Sequence, residues 1–395
     1  MRRFILLLVL DPSAVADWPQ FLGPSRNGIS TDGEPAGQPR VVWKKQVGQG
    51  FSGPVVAEGK VILFHRLGGR ETVECLDAAT GKQAWVFEYP TTYRDDFGFD
   101  EGPRGTPAIA GGRVYTSGAE GMVHALDFAT GKKLWSVDTH RQFQVAKGFF
   151  GAAASPLVED GRVLLNIGGT AGVAALDAAT GKVLWTATKD EAGYAAPVAA
   201  TIGGERHALF YTRDGLVDVE SSSGRVRFQF RWRSRSNASV NAASPVVSGN
   251  RVLLTASYGT GATLLEISGD KAKQVWNSDD ALSCHYSTPV LLDGVLYGYH
   301  GRQEEGQSLR AVTLATGKVL WDTPRFGAGT VMLAGTKLVL VKENGELVIA
   351  PASPKAFQPA TTQKILSGTV RAYPALAGGR LYARNEDTLV AVALR

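Results

Sequence analysis

The sequence predicts an all-β chain: an eight-bladed β-propeller of four-stranded antiparallel blades, the last blade closed by an N-terminal strand. Three observations predict it. A turn-and-strand unit recurs every 42 to 50 residues. A small residue followed by Pro opens nearly every unit. The chain also stops after the third strand of its last unit, while one unmatched strand stands near its start.

The unit is clearest in Asp77-Ala-Ala-Thr-Gly-Lys-Gln-Ala-Trp85, and it returns at Asp127–Trp135 and Asp177–Trp185. It returns at Thr313–Trp321 without its Asp. Each copy follows a short apolar run. The Asp is placed to accept from backbone N–H groups ahead of it, and Gly81, Gly131, Gly181 and Gly317 supply the positive φ of a tight hairpin. The Trp is a rigid apolar body suited to the gap between stacked sheets. Weaker copies end at Phe228 and Trp276, and Ile365 takes the anchor place after a divergent segment. The series is therefore Trp43, Trp85, Trp135, Trp185, Phe228, Trp276, Trp321 and Ile365. A second register runs through Pro54, Pro107, Pro156, Pro197, Pro245, Pro289 and Pro374, with Gly329-Thr330-Val331 in the one missing place. Both markers count eight units.

The N-terminal end sets three segments. Met1-Arg-Arg-Phe-Ile-Leu-Leu-Leu-Val-Leu10 followed by Ala14-Val-Ala16 reads as a signal peptide over residues 1–16, cut near Ala16, with a periplasmic or secreted product. Residues 17–40 read as an ordered extension on the propeller surface, and 41–395 as the propeller. Val41 to Val47 is a lone strand predicted to pair with Thr388–Leu394 and close the ring, since the last blade would otherwise present an open edge. No stretch shows a convincing helical period. No apolar run approaches the roughly 20 residues of a membrane span.

Composition bounds the function. The 395 residues carry a net charge of +5 with both signs scattered, which disfavours a nucleic-acid role. Two cysteines, Cys75 and Cys284, are too few for a disulfide framework. Cys75 occupies the place of Ala125 and Ala175 in the sister units and reads as a small core residue.

At the motif Ala-x-Asp-x-x-Thr-Gly-x-x-x-Trp, seen at Ala125–Trp135 and Ala175–Trp185, the chain resembles the PQQ-type (pyrroloquinoline quinone) repeat β-propellers over about residues 41–395. That family includes quinoprotein dehydrogenases and the non-enzymatic outer-membrane assembly factors of the BamB type. Trp18-Pro-Gln-Phe-Leu-Gly-Pro-Ser-Arg-Asn-Gly28 looks like the opening of a large group of secreted bacterial members. The resemblance implies PQQ with calcium for an enzyme. This chain departs from that pattern: it lacks the adjacent cysteine pair of the dehydrogenases, and Asp17 stands where the assembly factor carries its lipid-bearing Cys.

Long connections between blades are where binding is expected. Glu88 to Thr106 holds Arg94, Asp95, Asp96, Asp100, Glu101 and Arg104. Lys147, Arg231, Arg233, His285 and Arg371 lie in other connections. Asp95, Asp96 and Asp100 are the oxygen ligands a hard cation would use, against a plainer reading as a salt-bridged loop. Cys284-His285 pairs a thiol with a base, but sequence neighbours rarely adopt that geometry. With no catalytic constellation in view, the expectation is a monomeric binding or interaction scaffold with no metal or cofactor assigned. Its ligand would be a protein or small molecule at the channel mouth. A PQQ- and calcium-dependent dehydrogenase and a BamB-like assembly factor are the alternatives.

Overall fold

The computed structural model describes residues 16–395. The leader expected over residues 1–16 lies outside the described residues except for Ala16.

Eight sheets form the ring, each of four antiparallel strands, and one of the sheets (blade 7) gains a short fifth, parallel strand. Blade 1 is built from Val55–Ala57, Lys60–Leu67, Arg70–Asp77 and Gln83–Pro90. Blades 2 to 7 follow the same order along the chain. The first strand of each blade lies innermost, and first strands touch between blades 1 and 2, 2 and 3, 6 and 7, and 8 and 1. Each Pro of the second register immediately precedes an inner strand, where its missing N–H interrupts no ladder. Blade 8 takes Ala375–Ala377, Arg380–Arg384 and Thr388–Ala393 from the C-terminal end, and its outer strand is Arg40–Gln46. That strand pairs antiparallel with Thr388–Ala393, Lys44 opposite Val390, as the closure argument requires. Two short helical turns, Thr139–Phe143 and Gln303–Glu305, lie in connections and carry no sequence periodicity.

The recurring turn behaves as its chemistry dictates. Asp127 Oδ1 accepts from Thr130 N at 2.8 Å and Thr130 Oγ1 at 2.7 Å, and Asp77 and Asp177 repeat the pattern. Where Asp is lost, Thr313 Oγ1 meets Thr316 Oγ1 at 2.7 Å. The Trp then joins blades. Trp85, Trp135 and Trp185 donate their indole N–H to Phe128 O, Ala178 O and Ser221 O, each in the hairpin of the following blade. Each ring also lies under the turn Gly of that hairpin. A Cβ on Gly181 would stand 2.7 Å from Trp135 Cε3. At the ring seam Trp43, Arg380 and Tyr382 all donate to Ala78 O, at 3.1, 2.8 and 3.1 Å.

Two expectations need correction. Ile365 is not the anchor of blade 7: Ile349, the counterpart of Cys75 and Ala125, pairs with Thr361. The anchor is dispensable there because blade 8 receives its outer strand from the distant N-terminal side and has no hairpin to clasp. The extension over residues 17–40 does not lie on the surface. It enters the channel from the end bearing the turns between first and second strands. Trp18 bridges Val56 of blade 1, Pro19 O accepts from Ile109 N of blade 2, and Ile29-Ser30 pairs in parallel with blade 7. Arg26 reaches Pro156 O and Pro197 O of blades 3 and 4, and Gly379 N of blade 8 donates to Asp32. Trp18, Leu22 and Arg26 are buried, and burial pushes the Arg26 guanidinium down to about 9. Turn-rich polar sequence reads as surface, yet here its backbone pairs with inner strands and two apolar side chains fill the channel.

Candidate functional site: an aromatic basin at the channel mouth

The other end of the channel opens into a basin of about 320 Å³. Seven of the eight inter-blade connections contribute to it, and Phe21 of the extension reaches it from below, edge-on to Tyr373 at 4.9 Å. The extension therefore makes the channel blind.

The wall is a closed circuit of rings and guanidinium groups. Arg104 stacks between Phe51 and Phe150, 4.8 Å from each centroid. Arg371 lies 5.6 Å from Phe51 and 5.4 Å from Phe99, and Phe99 meets Phe150 edge-on at 6.1 Å. Cation–π contacts of this kind hold aromatic faces and cations together where water is scarce. Arg104 Nε is buried without a hydrogen-bond partner among the described residues. Phe97 and Phe99 are each 52% exposed, an unusual state for large apolar side chains set side by side.

The acidic loop explains why they stand there. Asp95 Oδ2 accepts from Phe99 N at 2.9 Å and Asp100 N at 3.0 Å, and its Oδ1 accepts from Phe97 N at 3.0 Å. Asp100 accepts from Gly50 N and Gly102 N. Asp96 turns outward to Lys147 at 2.6 Å, joining this loop to the next, and Glu101 pairs with Arg94 at 2.6 Å. These carboxylates are engaged separately. Among the described residues no group of three or more His, Cys, Asp or Glu is placed to hold a metal.

Of the sequence candidates, Arg104, His285 and Arg371 line the basin. Asp95 and Asp100 hold the loop behind it, while Arg94, Asp96, Glu101 and Lys147 do not line it and pair with one another, Arg94 with Glu101 and Lys147 with Asp96. Arg231 and Arg233 do not reach it: both face Asp214, at 3.8 and 3.4 Å. His285 Nδ1 lies 2.9 Å from Gln303 Oε1, the contact an Nδ1–H tautomer makes with an amide oxygen. Burial lowers its pKa, which favours the neutral ring. Glu343 accepts from both Arg371 Nε and Tyr286 at 2.8 Å. Cys284 is fully buried and its thiol is pushed up to about 12 by that burial, so it makes no nucleophile beside His285. The aromatic residues were missed as site members. Their signal was present: Phe51, Tyr194 and Tyr286 each stand three residues before the Pro that opens an inner strand.

A quinone held with calcium needs several oxygens converging beside a flat aromatic surface. Phe97 and Phe99 lie near parallel at 24°, the other basin ring pairs are steeply tilted, and the nearby carboxylates are spent on backbone N–H groups and guanidinium ions. The residues present do not fit that pair.

Comparison with known proteins gives the same lineage. No curated protein matches the chain in sequence. The structure of BamB from Moraxella catarrhalis is similar at TM-score 0.66 and 17% identity, covering 90% of this chain and 98% of that one. A quinohemoprotein alcohol dehydrogenase from Comamonas testosteroni is similar at TM-score 0.68 and 14% identity, covering 96% and 80%. A computationally designed protein, Ika8, is similar at TM-score 0.60 and 15% identity, covering 88% and 97%, so these likenesses speak to fold alone. The family model described as outer membrane protein assembly factor BamB matches residues 69–304, more than half of the chain, and the chain belongs to that family of PQQ-like repeat propellers.

Proposed function

We propose that this propeller is a non-catalytic binding module whose ligand enters the aromatic basin and carries both an apolar or aromatic body and an anionic group. The observation that carries this is the circuit Phe150–Arg104–Phe51–Arg371–Phe99, with Phe97 and Phe99 half-exposed above it. Rings supply apolar contact, and the guanidinium groups supply charge-assisted donors. We place the protein in the periplasm or outside the cell, acting as a monomer. The family description and the leader-like first residues support that setting.

Anilinonaphthalene sulfonate, an aromatic anion whose fluorescence rises in apolar sites, tests this directly. Saturable binding to the natively folded protein is expected, weakened about tenfold in Phe99→Ser and in Arg104→Gln, a loss of roughly 1.4 kcal/mol. Near-UV circular dichroism checks that each variant keeps its fold. Binding that ignores both substitutions would remove the basin as the ligand site. Calcium-dependent PQQ binding with oxidation of an alcohol by a dye acceptor would overturn the non-catalytic reading in favour of a quinoprotein.

A further inference from the structure

The joints between blades are not alike. Six of them carry the Trp clasp: besides those made by Trp43, Trp85, Trp135 and Trp185, Trp276 donates to Leu314 O at 2.9 Å and Trp321 to Ser353 O at 2.8 Å. The joint between blades 7 and 8 has no hairpin to clasp, and the N-terminal extension ties it instead. Glu34 Oε1 accepts from Thr336 N of blade 7 at 2.7 Å, and Asp32 Oδ2 accepts from Gly379 N of blade 8 at 2.9 Å. That leaves the joint between blades 4 and 5.

Here Phe228 stands where the sister blades carry Trp, so there is no indole N–H to donate. The facing hairpin does not close on the ring either. A Cβ on Gly269 would meet nothing within 4 Å, whereas one on Gly224 would stand 2.6 Å from Trp185 Cδ2. The extension also passes this joint by. Arg26 stops at Pro156 O and Pro197 O, and among the described residues the extension makes no hydrogen bond to the inner strand of blade 5, Val246–Ser248. A hollow of about 180 Å³ lies between it and the inner strands of blades 4 and 5.

What crosses this joint besides apolar packing is side-chain chemistry. Arg225 and Arg227 of blade 4 reach Asp270 of blade 5 at 2.6 and 3.0 Å. Trp232 Nε1 donates to Asn277 Oδ1 at 2.9 Å, Ser234 Oγ to Tyr258 O at 3.2 Å and Ser244 Oγ to Ala196 O at 3.1 Å. The side chains of Arg225 and Asp270 are 49% and 46% exposed, so water and salt screen their attraction.

The basin straddles the same joint. Tyr194 and Val240 line it on the blade 4 side, where Tyr194 N donates to Asn241 O and Asn241 Nδ2 donates to Thr212 O. Tyr258 and His285 line it on the blade 5 side. A ligand that fills the basin touches both sides at once.

Resting on the basin being the ligand site, we propose that the ring opens at the joint between blades 4 and 5, and that an occupied basin keeps this joint closed. A ligand that needs both walls binds the closed ring better than the open one, and this difference shifts the balance. The coupling is reciprocal: the ligand slows opening, and whatever loosens the joint weakens the ligand.

Hydrogen exchange read by mass spectrometry on the natively folded protein tests this, with anilinonaphthalene sulfonate as the probe ligand. Outer strands are compared with outer strands: Val226–Arg231 at the joint against Lys133–Asp138 and Val183–Ala187 at clasped joints. Val226–Arg231 is expected to exchange at least about threefold faster than either. Raising salt from about 0.05 to about 0.5 M should speed it further and leave the clasped strands as they were. Saturating probe should slow it. Asp270→Asn should speed this strand, blunt its salt response and weaken the probe about threefold, although Asp270 does not line the basin. Asp322→Asn removes a pair with Arg310 inside blade 6 and should change none of these. Equal exchange at the three strands, or no response of Val226–Arg231 to salt and to Asp270→Asn, overturns the opening joint. Saturable probe binding that is lost in Phe99→Ser but leaves this strand unchanged overturns the coupling and keeps the basin. Probe binding that ignores Phe99→Ser overturns the basin reading and the coupling with it, while the exchange contrast still decides whether the joint opens.

Discussion

At the scale of single residues, the Trp of each hairpin does two things at once. It fills the gap between blades and donates to a carbonyl of the next one. Trp185 is 9% exposed, its ring lies under Gly224, and its N–H reaches Ser221 O at 2.9 Å. Trp185→Ala should lower unfolding free energy by about 3–5 kcal/mol, and Trp185→Phe, which keeps most of the packing, should lower it by a smaller amount near ~1 kcal/mol. Denaturant titration separates the two. Gly181→Ala should also destabilise, because its φ of +75° disfavours a side chain and its new Cβ would press on Trp135. Buried histidines give the molecule an acid limit. Burial chiefly, with Lys133 adding, lowers the His124 pKa to about 4, and His65 and His300 are lowered to about 3 and about 4. Unfolded histidine takes a proton near pH 6.5, so between that pH and about 4 the unfolded chain binds more protons. Stability must then fall as the pH falls. His124 alone accounts for something on the order of 3 kcal/mol over this window. Thermal midpoints measured from pH 7 to 4 should drop less steeply in His124→Phe than in the wild type. Parallel curves would assign the acid limit elsewhere.

At the scale of elements, the two N-terminal pieces have different tasks. The strand Arg40–Gln46 completes a blade, and its removal exposes the unpaired edge of Thr388–Ala393 along with the seam at Ala78 O. Deleting Arg40 to Val47 should abolish a single sharp thermal transition. An unchanged melting profile would sink the closure mechanism. Residues 17–39 plug the channel without completing any blade apart from the two-residue pairing on blade 7. Their deletion should leave the β circular dichroism spectrum in place, lower the midpoint through loss of Trp18 and Leu22 burial, and deepen the basin by removing Phe21. The connection from Glu88 to Thr106 is a third kind of element. Asp95 and Asp100 bind its own backbone, so it is a rigid presenter of Phe97 and Phe99. Asp95→Ala should weaken ligand binding as much as Phe99→Ser does, although Asp95 has a fully buried side chain.

At the scale of the whole molecule, ring closure converts eight similar units into one asymmetric mouth. The inner strands are nearly interchangeable, while the connections differ in length and composition, so specificity is carried by the unequal parts. The repeat count, the strand order and the closing strand were legible in the sequence because their causes are local or periodic. An Asp, a Thr and a Gly within five residues make the hairpin, and the Trp four residues after the Gly reports its neighbour. Of the charged residues singled out in the connections, Arg104, His285 and Arg371 line the basin. What stayed hidden depends on residues far apart in the chain. Phe51, Arg104, Phe150 and Arg371 come together only once the last blade meets the first. The plug could not be read either, since a polar, turn-rich segment declares neither its depth nor its partners until its backbone finds the inner strands. By itself, then, the sequence determined the fold, through turn chemistry and spacing that act within one unit. Only the tertiary structure decided which side chains face one another across the mouth and which end of the channel is sealed, because those contacts are set by closure of the ring.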